Sequence, residues 1–255
     1  MQRILLGKTG IEIPRLFIGT GTSDEKDQCI QARVKPELYA EILRDAYLNG
    51  INFWDTSDDY RTYSHLKLGM WNIERENLVI SSKTYAGTAR EALRVLNQSL
   101  ADLGTKYLDI FFLHSVDSLQ GYEKRIQDVL PGLKQAKEEG KIKAVGLSTH
   151  NIHVLEKAVE HPELEVIFSN FNRYEIHMDA SIQWYSRTLE KGFRSGKGIL
   201  VMKTLGEGLL RDRVKESIYY NLSKPFIHGV CVGIVSRQDL EKTLKVLKEI
   251  EEESS

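Results

Sequence analysis

The chain has 255 residues, of which 41% are hydrophobic and 28% charged, with 19 Gly and 5 Pro. This composition is typical of a globular protein and excludes collagen-like, disordered and disulfide-scaffold classes. Lys and Arg (35) nearly balance Asp and Glu (36), and the net charge of -1 gives no electrostatic reason to expect nucleic acid or an anionic membrane as partner. The length fits either two domains of about 130 residues or one α/β barrel of about 250.

The cysteines and the apolar segments indicate the cellular compartment in which we expect the protein. Cys29 and Cys231 are too few for a disulfide framework, and neither has a His or Cys at metal-ligand spacing. We therefore expect no metal site and a reducing compartment, the cytoplasm. The first apolar run is too short for a signal sequence, and no segment reaches the roughly 18 uninterrupted apolar residues of a membrane span.

The first segment, residues 2–14, has the pattern of a β-hairpin. Two short apolar runs, residues 4–6 and 11–13, flank the turn residues 7–10, which begin and end with glycine. This hairpin precedes the repeating part of the chain, and we expect it to cover the amino-terminal end of the barrel predicted below.

Eight short runs rich in apolar and β-branched residues follow the hairpin. Each is nearly continuous in hydrophobicity rather than alternating, as expected for strands that are buried on both faces of a parallel sheet. The predicted strands are residues 15–19, 51–55, 78–83, 109–114, 143–148, 166–171, 198–203 and 229–234.

Segments with helical periodicity lie between several of these strands. Residues 36–49 place their apolar side chains on one face, after a proline suited to the first turn. Residues 88–91 form a capping box at the start of a helix that Gly104 ends. Residues 151–161 are amphipathic, and Ser236 can cap a last helix.

The alternation of strands and helices predicts a single (β/α)8 TIM barrel domain over residues 1–255, with the N-terminal β-hairpin added. The alternative is an open Rossmann-like sheet, which requires the pattern Gly-x-Gly-x-x-Gly after the first strand. Gly19-Thr-Gly21 lacks the third glycine of that pattern. The barrel is therefore the favoured architecture.

Ionisable residues follow three consecutive predicted strands. Asp55, Lys83 and His114 each end a strand, and Tyr60 lies five residues after Asp55. Each alone has an ordinary structural explanation, as a loop cap, a solvent-exposed amine or a locally hydrogen-bonded ring. Four such groups at one rim are harder to explain in that way, since burying them unpaired is costly. Because barrel active sites form at the carboxyl ends of strands, we expect these four side chains to meet there.

The four side chains suit the protonation of a carbonyl oxygen. A tyrosine with a pKa of about 10 is a poor proton donor near neutral pH. We expect the Lys83 ammonium, paired with Asp55, to lower the pKa of Tyr60, and His114 to orient a substrate oxygen. None of these side chains can donate a hydride, so the reaction implies a redox cofactor.

Motifs along essentially the whole chain resemble the aldo-keto reductase superfamily in the right order. Residues 54–60, Trp-Asp-Thr-Ser-Asp-Asp-Tyr, are similar to its Asp-Thr-Ala-x-x-Tyr segment. The strands that end at Lys83, His114 and Ser148 resemble the next strands of the family, and residues 6–14, 19–22 and 202–208 are also similar. The resemblance implies Tyr60 as general acid, assisted by Lys83, Asp55 and His114.

The resemblance also implies a nicotinamide cofactor and the residues that hold it. NADP(H) is expected rather than NAD(H), without a metal, although the usual 2′-phosphate residues are replaced here. The positions that match cofactor-binding residues of the family are Gly21, Thr22, Ser23, Ser148, Thr149, Met202, Lys203, Thr204, Leu205, Gly206, Gly233, Ser236, Arg237 and Lys242. The short link between residues 208 and 219 predicts an open, loop-trimmed site.

The expected function is the NAD(P)H-dependent reduction of aldehydes or ketones, with a small-molecule carbonyl substrate and no nucleic-acid or membrane partner. One alternative is a weakly catalytic dinucleotide-binding subunit that acts through a partner, resembling the barrel subunits of potassium channels. Another is a barrel isomerase or aldolase with a Schiff base on Lys83, which needs a low-pKa lysine and is disfavoured by Asp55. The sequence leaves the oligomeric state and the physiological substrate open.

Overall fold

The computed structural model describes residues 3–26 and 28–253, and its centre is a closed barrel of eight parallel strands. Neighbouring strands follow chain order around the barrel, and the last strand pairs in parallel with the first to close it. The predicted (β/α)8 fold is confirmed. The strands are β3 (Leu16–Gly19), β4 (Phe53–Asp55), β5 (Val79–Thr84), β6 (Leu108–Leu113), β7 (Ile142–Thr149), β8 (Val166–Asn170), β9 (Gly198–Met202) and β10 (Gly229–Gly233).

Every predicted strand is present, with ends shifted by at most two residues. Almost all strand residues are buried, because their side chains pack alternately into the barrel and against the surrounding helices. Aromatic side chains fill the interior, where Phe17 stacks on Phe53 with ring centroids 4.2 Å apart. The interior is thus a packed core that leaves the chemistry to the rim.

The helices form the outer layer. Those predicted from periodicity are confirmed as α1, α3, α6 and α9, and the Thr88 cap accepts a hydrogen bond from the Glu91 N–H. The other helices were not predicted. The helices are α1 (Pro36–Leu48), α2 (Tyr63–Gly69), α3 (Ala89–Leu103), α4 (Leu119–Asp128), α5 (Leu130–Glu138), α6 (Ile152–Glu160), α7 (Ile182–Arg194), α8 (Val214–Leu222) and α9 (Arg237–Glu253).

The N-terminal hairpin consists of β1 (Arg3–Leu5) and β2 (Glu12–Pro14), which pair antiparallel; Gln2 of the predicted hairpin lies outside the described residues. Leu6 is fully buried and packs so closely on the first residue of β9 that a Cβ on Gly198 would lie 2.5 Å from its Cγ. The Lys8 N–H donates to the Gly196 carbonyl at 2.9 Å. The hairpin therefore covers the amino-terminal end of the barrel, as predicted.

Within residues 3–26 and 28–253, no helix combines the length and the hydrophobicity that a membrane crossing needs.

Candidate active site

The carboxyl ends of the strands open into a cavity of about 530 Å³. It extends from the loops after β4, β5 and β6 to the segment after β9 and the start of α9. All four side chains predicted to do the chemistry face it. The predicted site residues in its wall are Gly21, Thr22, Ser23, Asp55, Tyr60, Lys83, His114, Ser148, Met202, Lys203, Thr204, Leu205, Gly233 and Lys242.

Lys83 and Asp55 form a buried ion pair at the floor of the cavity. Lys83 Nζ donates to Asp55 Oδ2 at 2.6 Å and to the Thr56 carbonyl at 2.8 Å, while the Ser81 hydroxyl donates to Asp55 Oδ1 at 2.5 Å. Burial raises the pKa of the Asp55 carboxyl, and the Lys83 ammonium opposes that rise. The predicted pairing is present, and each charged group makes a further hydrogen bond besides the ion pair.

Tyr60 lies against the backbone of the loop after β3. A Cβ on Gly21 would come within 2.2 Å of the Tyr60 ring, so only glycine leaves room for this ring position. Burial, followed by the charge of Asp55, raises the pKa of Tyr60 well above its ordinary value. The expected lowering of this pKa is wrong for this structure, because burial and the charge of Asp55 both disfavour the phenolate. Tyr60 is therefore held as a neutral phenol that carries a proton.

His114 lies beside the Tyr60 hydroxyl. Its Nε2 is 3.5 Å from Tyr60 Oη, and its Nδ1 is 3.0 Å from the Ser57 hydroxyl. Burial, followed by the charge of Lys83, lowers the pKa of His114 to about 2, so the imidazole is neutral at physiological pH. The ring also packs against Tyr85, with centroids 4.2 Å apart and the ring planes tilted by 32°.

Three side chains that shape this site were not predicted. Ser57 lies within the motif that contains Asp55, and Tyr85 follows Lys83 by two residues, so their positions in the sequence could have indicated them. Arg125 lies on α4 and donates to the His114 carbonyl at 3.1 Å and to the Thr84 carbonyl at 3.3 Å. No local pattern indicates Arg125, because this contact depends on how α4 packs beside β5 and β6.

The arm of the cavity next to the segment after β9 and the start of α9 carries cationic side chains. Lys203, which follows β9, pairs with Glu207 at 2.8 Å, and Lys242 of α9 donates to the Arg211 carbonyl at 2.7 Å. Arg211 also lines this arm. Lysine and arginine are the side chains that bind phosphate groups, and Glu207, which lines the same arm, offsets the charge of Lys203.

Four predicted cofactor positions lie outside the cavity wall in the described part of the chain: Thr149, Gly206, Ser236 and Arg237. Thr149 is fully buried and donates to the Val116 carbonyl at 2.7 Å. Gly206 belongs to the turn Gly206–Gly208, where its neighbour Glu207, and not Gly206 itself, reaches the cavity.

Ser236 and Arg237 are occupied by contacts within the fold. The Ser236 hydroxyl donates to Asp239 Oδ2 at 2.8 Å, and the Val235 N–H donates to the same oxygen at 3.2 Å. Arg237 pairs with Asp45 of α1 at 2.6 Å, on the outer surface of the barrel. The Ser236 hydroxyl also accepts from the Asp239 N–H at 3.2 Å, so Ser236 caps α9 as predicted, and Asp239, which returns these contacts, lines the cavity.

One group of side chains has the composition of a metal site. Asp58, Asp59 and His114 offer ligand atoms that all lie within 4.8 Å of one another. However, the Nδ1 atom of His114 already contacts the Ser57 hydroxyl. The group gives no positive indication of a metal.

Comparisons with known proteins identify the family and the fold. The sequence profile described as "Aldo/keto reductase family" matches residues 15–254. The L-glyceraldehyde 3-phosphate reductase of Escherichia coli (strain K12) is 26% identical over 63% of this chain and 49% of its own length, so the chain spans about half the length of this relative. The NADH-specific methylglyoxal reductase of the same organism is 23% identical, over 84% of this chain and 70% of its own. A Pseudomonas aeruginosa crystal structure assigned to the aldo-keto reductases has the same fold, with a TM-score of 0.80 and 24% identity over 97% of this chain and 95% of that one.

Proposed function

Because the chain belongs to the aldo/keto reductase family, we propose that it is an NAD(P)H-dependent oxidoreductase that reduces aldehyde or ketone carbonyls to alcohols. The oxidoreductase activities in the names of its relatives support this reaction class. The observation that carries the proposal is the contact between the neutral Tyr60 phenol and neutral His114 above the buried Lys83–Asp55 pair. Together these groups present a proton donor at the bottom of an open cavity.

The cavity fits a dinucleotide cofactor. Lys203, Arg211 and Lys242 supply cationic groups for its phosphates, and the Ser148 hydroxyl, which lies at the other end, can contact a carboxamide. When bound, the dihydronicotinamide supplies the hydride that no side chain of the chain can provide. Phe168 and the buried Thr149 replace polar side chains that are common in the family, which predicts weak retention of the carboxamide.

Tyr60 acts as the general acid of the proposed reduction. It holds its proton at Oη because burial raises its pKa, and it donates this proton to the carbonyl oxygen as negative charge develops there. The phenolate that results is stabilised by Lys83, whose Nζ lies 4.9 Å from the centre of the Tyr60 ring. His114, held neutral, positions the substrate oxygen next to Tyr60.

The preference for NADP(H) over NAD(H) is the finer part of the proposal. Arg237 and Lys242 are the two cations on α9 among the predicted cofactor positions; Lys242 lines the cavity, and Arg237 is paired with Asp45 on the outer surface. Asp239 also lines the cavity and opposes an additional phosphate by its charge. Lys242 is therefore the residue on which the preference for NADP(H) depends.

The single domain over residues 1–255 and the cytoplasmic location likewise remain predictions.

The test is to follow the oxidation of NADPH and NADH by the purified protein over a panel of aldehydes. We expect Tyr60→Phe to lower kcat at least 100-fold, the range that general acid catalysis contributes. Tyr219→Phe is the matched control, because Tyr219 is half exposed on α8 and lies outside the cavity wall in the described part of the chain.

Three outcomes separate the candidate functions. Unchanged turnover in Tyr60→Phe would remove Tyr60 as the acid. Cofactor binding, measured by fluorescence, without turnover of any carbonyl would favour the partner-subunit function instead. Reductive trapping of a substrate on Lys83 would support a Schiff base, which the 2.6 Å contact with Asp55 disfavours.

A further inference from the structure

We propose that Asp59 selects carbonyl substrates by charge, so that the site prefers neutral and cationic carbonyl compounds over anionic ones. The inference rests on the proposed function, because it concerns the substrate of the same cavity. It depends on the position of one carboxylate, on the lack of a paired lysine or arginine within residues 3–26 and 28–253, and on an aromatic ring in the same cavity wall.

Asp59 lies in the cavity next to the proposed proton donor. Its carboxylate precedes Tyr60 in the chain, and its Oδ1 is 3.6 Å from His114 Nδ1. The side chain is 44% exposed, so the charge faces the cavity rather than the protein interior. Its field also raises the pKa of Tyr60 and of Tyr85, which places the carboxylate within electrostatic reach of both hydroxyl groups.

No lysine or arginine of residues 3–26 and 28–253 forms an ion pair with Asp59, and the histidine beside it is neutral because it is buried. Lys83 is committed to Asp55, and the Arg125 guanidinium donates to backbone carbonyls behind His114. Arg61 faces a separate surface groove together with Asp58. The charge of Asp59 is therefore felt by a substrate that approaches Tyr60.

The ring of Tyr85 supplies a second, independent element of cation recognition. It is 51% exposed, lines the cavity, and packs against His114 at the end where the carbonyl is expected to bind. An exposed aromatic ring near a carboxylate is the combination that attracts alkylammonium groups. The cationic side chains of the wall, Lys203, Arg211 and Lys242, follow β9 or lie on α9, away from the loops after β4, β5 and β6.

The experiment uses three benzaldehydes that differ at the para position: 4-carboxybenzaldehyde, 4-methylbenzaldehyde and 4-(trimethylammonio)benzaldehyde. For each, kcat/KM is measured with the wild-type protein and with Asp59→Asn. Two unit charges about 7 Å apart in a water-filled cavity change a rate by about threefold, upward for the cationic aldehyde and downward for the anionic one. We therefore expect Asp59→Asn to lower the ratio of kcat/KM for the cationic substrate to kcat/KM for the anionic substrate about tenfold. Asp59→Lys should reverse the preference.

Comparing ratios between variants cancels the intrinsic reactivity of the three aldehydes and any general effect on Tyr60. The matched control is Asp102→Asn, which removes the same charge from the exposed face of α3. It should leave the ratio of the two kcat/KM values unchanged. A ratio that is the same in wild type and both Asp59 variants would overturn the inference while leaving the proposed function intact. No cofactor oxidation with any of the three aldehydes would overturn both.

Discussion

Ser57 holds the His114 imidazole through a 3.0 Å contact between its hydroxyl and Nδ1. The serine is fully buried, and its hydroxyl also lies 3.2 Å from Asp58 Oδ1. It stands where the related family motif has alanine, so the contact is a feature of this chain's own sequence. Ser57 is thus a positioning residue that acts on the reaction through His114.

We predict that Ser57→Ala lowers kcat by about three- to tenfold, a change that corresponds to the free energy of one buried hydrogen bond. Nitrogen NMR of the histidines should at the same time show an altered Nδ1 signal of His114, which a purely structural loss would not produce. The matched control is Ser64→Ala, which removes a hydroxyl 3.3 Å from His65 Nδ1 outside the cavity and should leave kcat unchanged. An unaltered kcat in Ser57→Ala would contradict the positioning role.

At the scale of elements, one buried carboxylate connects the amino ends of three adjacent strands, β5, β6 and β7. Asp109 of β6 is 1% exposed, accepts from the Ile80 N–H of β5 at 2.9 Å and pairs with Lys143 of β7 at 2.8 Å. It also pairs with Arg75, in the turn before β5, at 2.7 Å. Three adjacent strands are therefore held in register at the end of the barrel opposite the active site.

We expect Asp109→Ala to lower the free energy of unfolding by about 3 to 5 kcal/mol, because it leaves the N–H of Ile80 without its acceptor and removes the carboxylate that pairs with the charges of Arg75 and Lys143. Urea denaturation measures the change, and Glu123→Ala on the exposed face of α4 serves as control. A loss below about 1 kcal/mol would show that the network is only a surface ion pair.

For the whole molecule, closure of the barrel involves a buried histidine. His228, just before β10, accepts a hydrogen bond from the Ile199 N–H of β9 at 3.0 Å through Nδ1. It is 4% exposed, and burial, followed by the charge of Arg15, lowers its pKa to about 4. The neutral ring therefore belongs to the folded state, because protonation of Nδ1 would remove the acceptor.

This pKa predicts a loss of stability in mild acid. Between the unfolded value of about 6.5 and the folded value of about 4, the unfolded chain binds a proton that the folded chain does not. The free energy of unfolding should thus fall as pH falls through this window, by about 1.4 kcal/mol per pH unit for this group. Because the pKa of His114 is also lowered, His114 adds a change of the same sign. We expect His228→Gln to reduce the slope of unfolding free energy against pH between 7 and 5, whereas His153→Gln, at an exposed position, should not. Equal slopes in wild type and His228→Gln would contradict this account.

Much of the fold follows from local patterns. The strands were predicted to within two residues because continuous apolar runs of this length, separated by polar segments, are specific to buried parallel strands. The helices that were predicted have a strong signal at one end, such as the Thr88 cap of α3. Helix α8 has no side-chain cap at its start, and its residues therefore gave no comparable signal.

The sequence by itself determined the barrel, the order of its strands and the convergence of Asp55, Tyr60, Lys83 and His114 at one rim, because these depend on periodicity and on which residue ends each strand. The tertiary structure alone decided which cation of α9 faces the cavity, Lys242 rather than Arg237. It also decided that the pKa of Tyr60 rises. Both depend on burial and on charges distant in the chain, which come together only when the helices pack around the closed barrel.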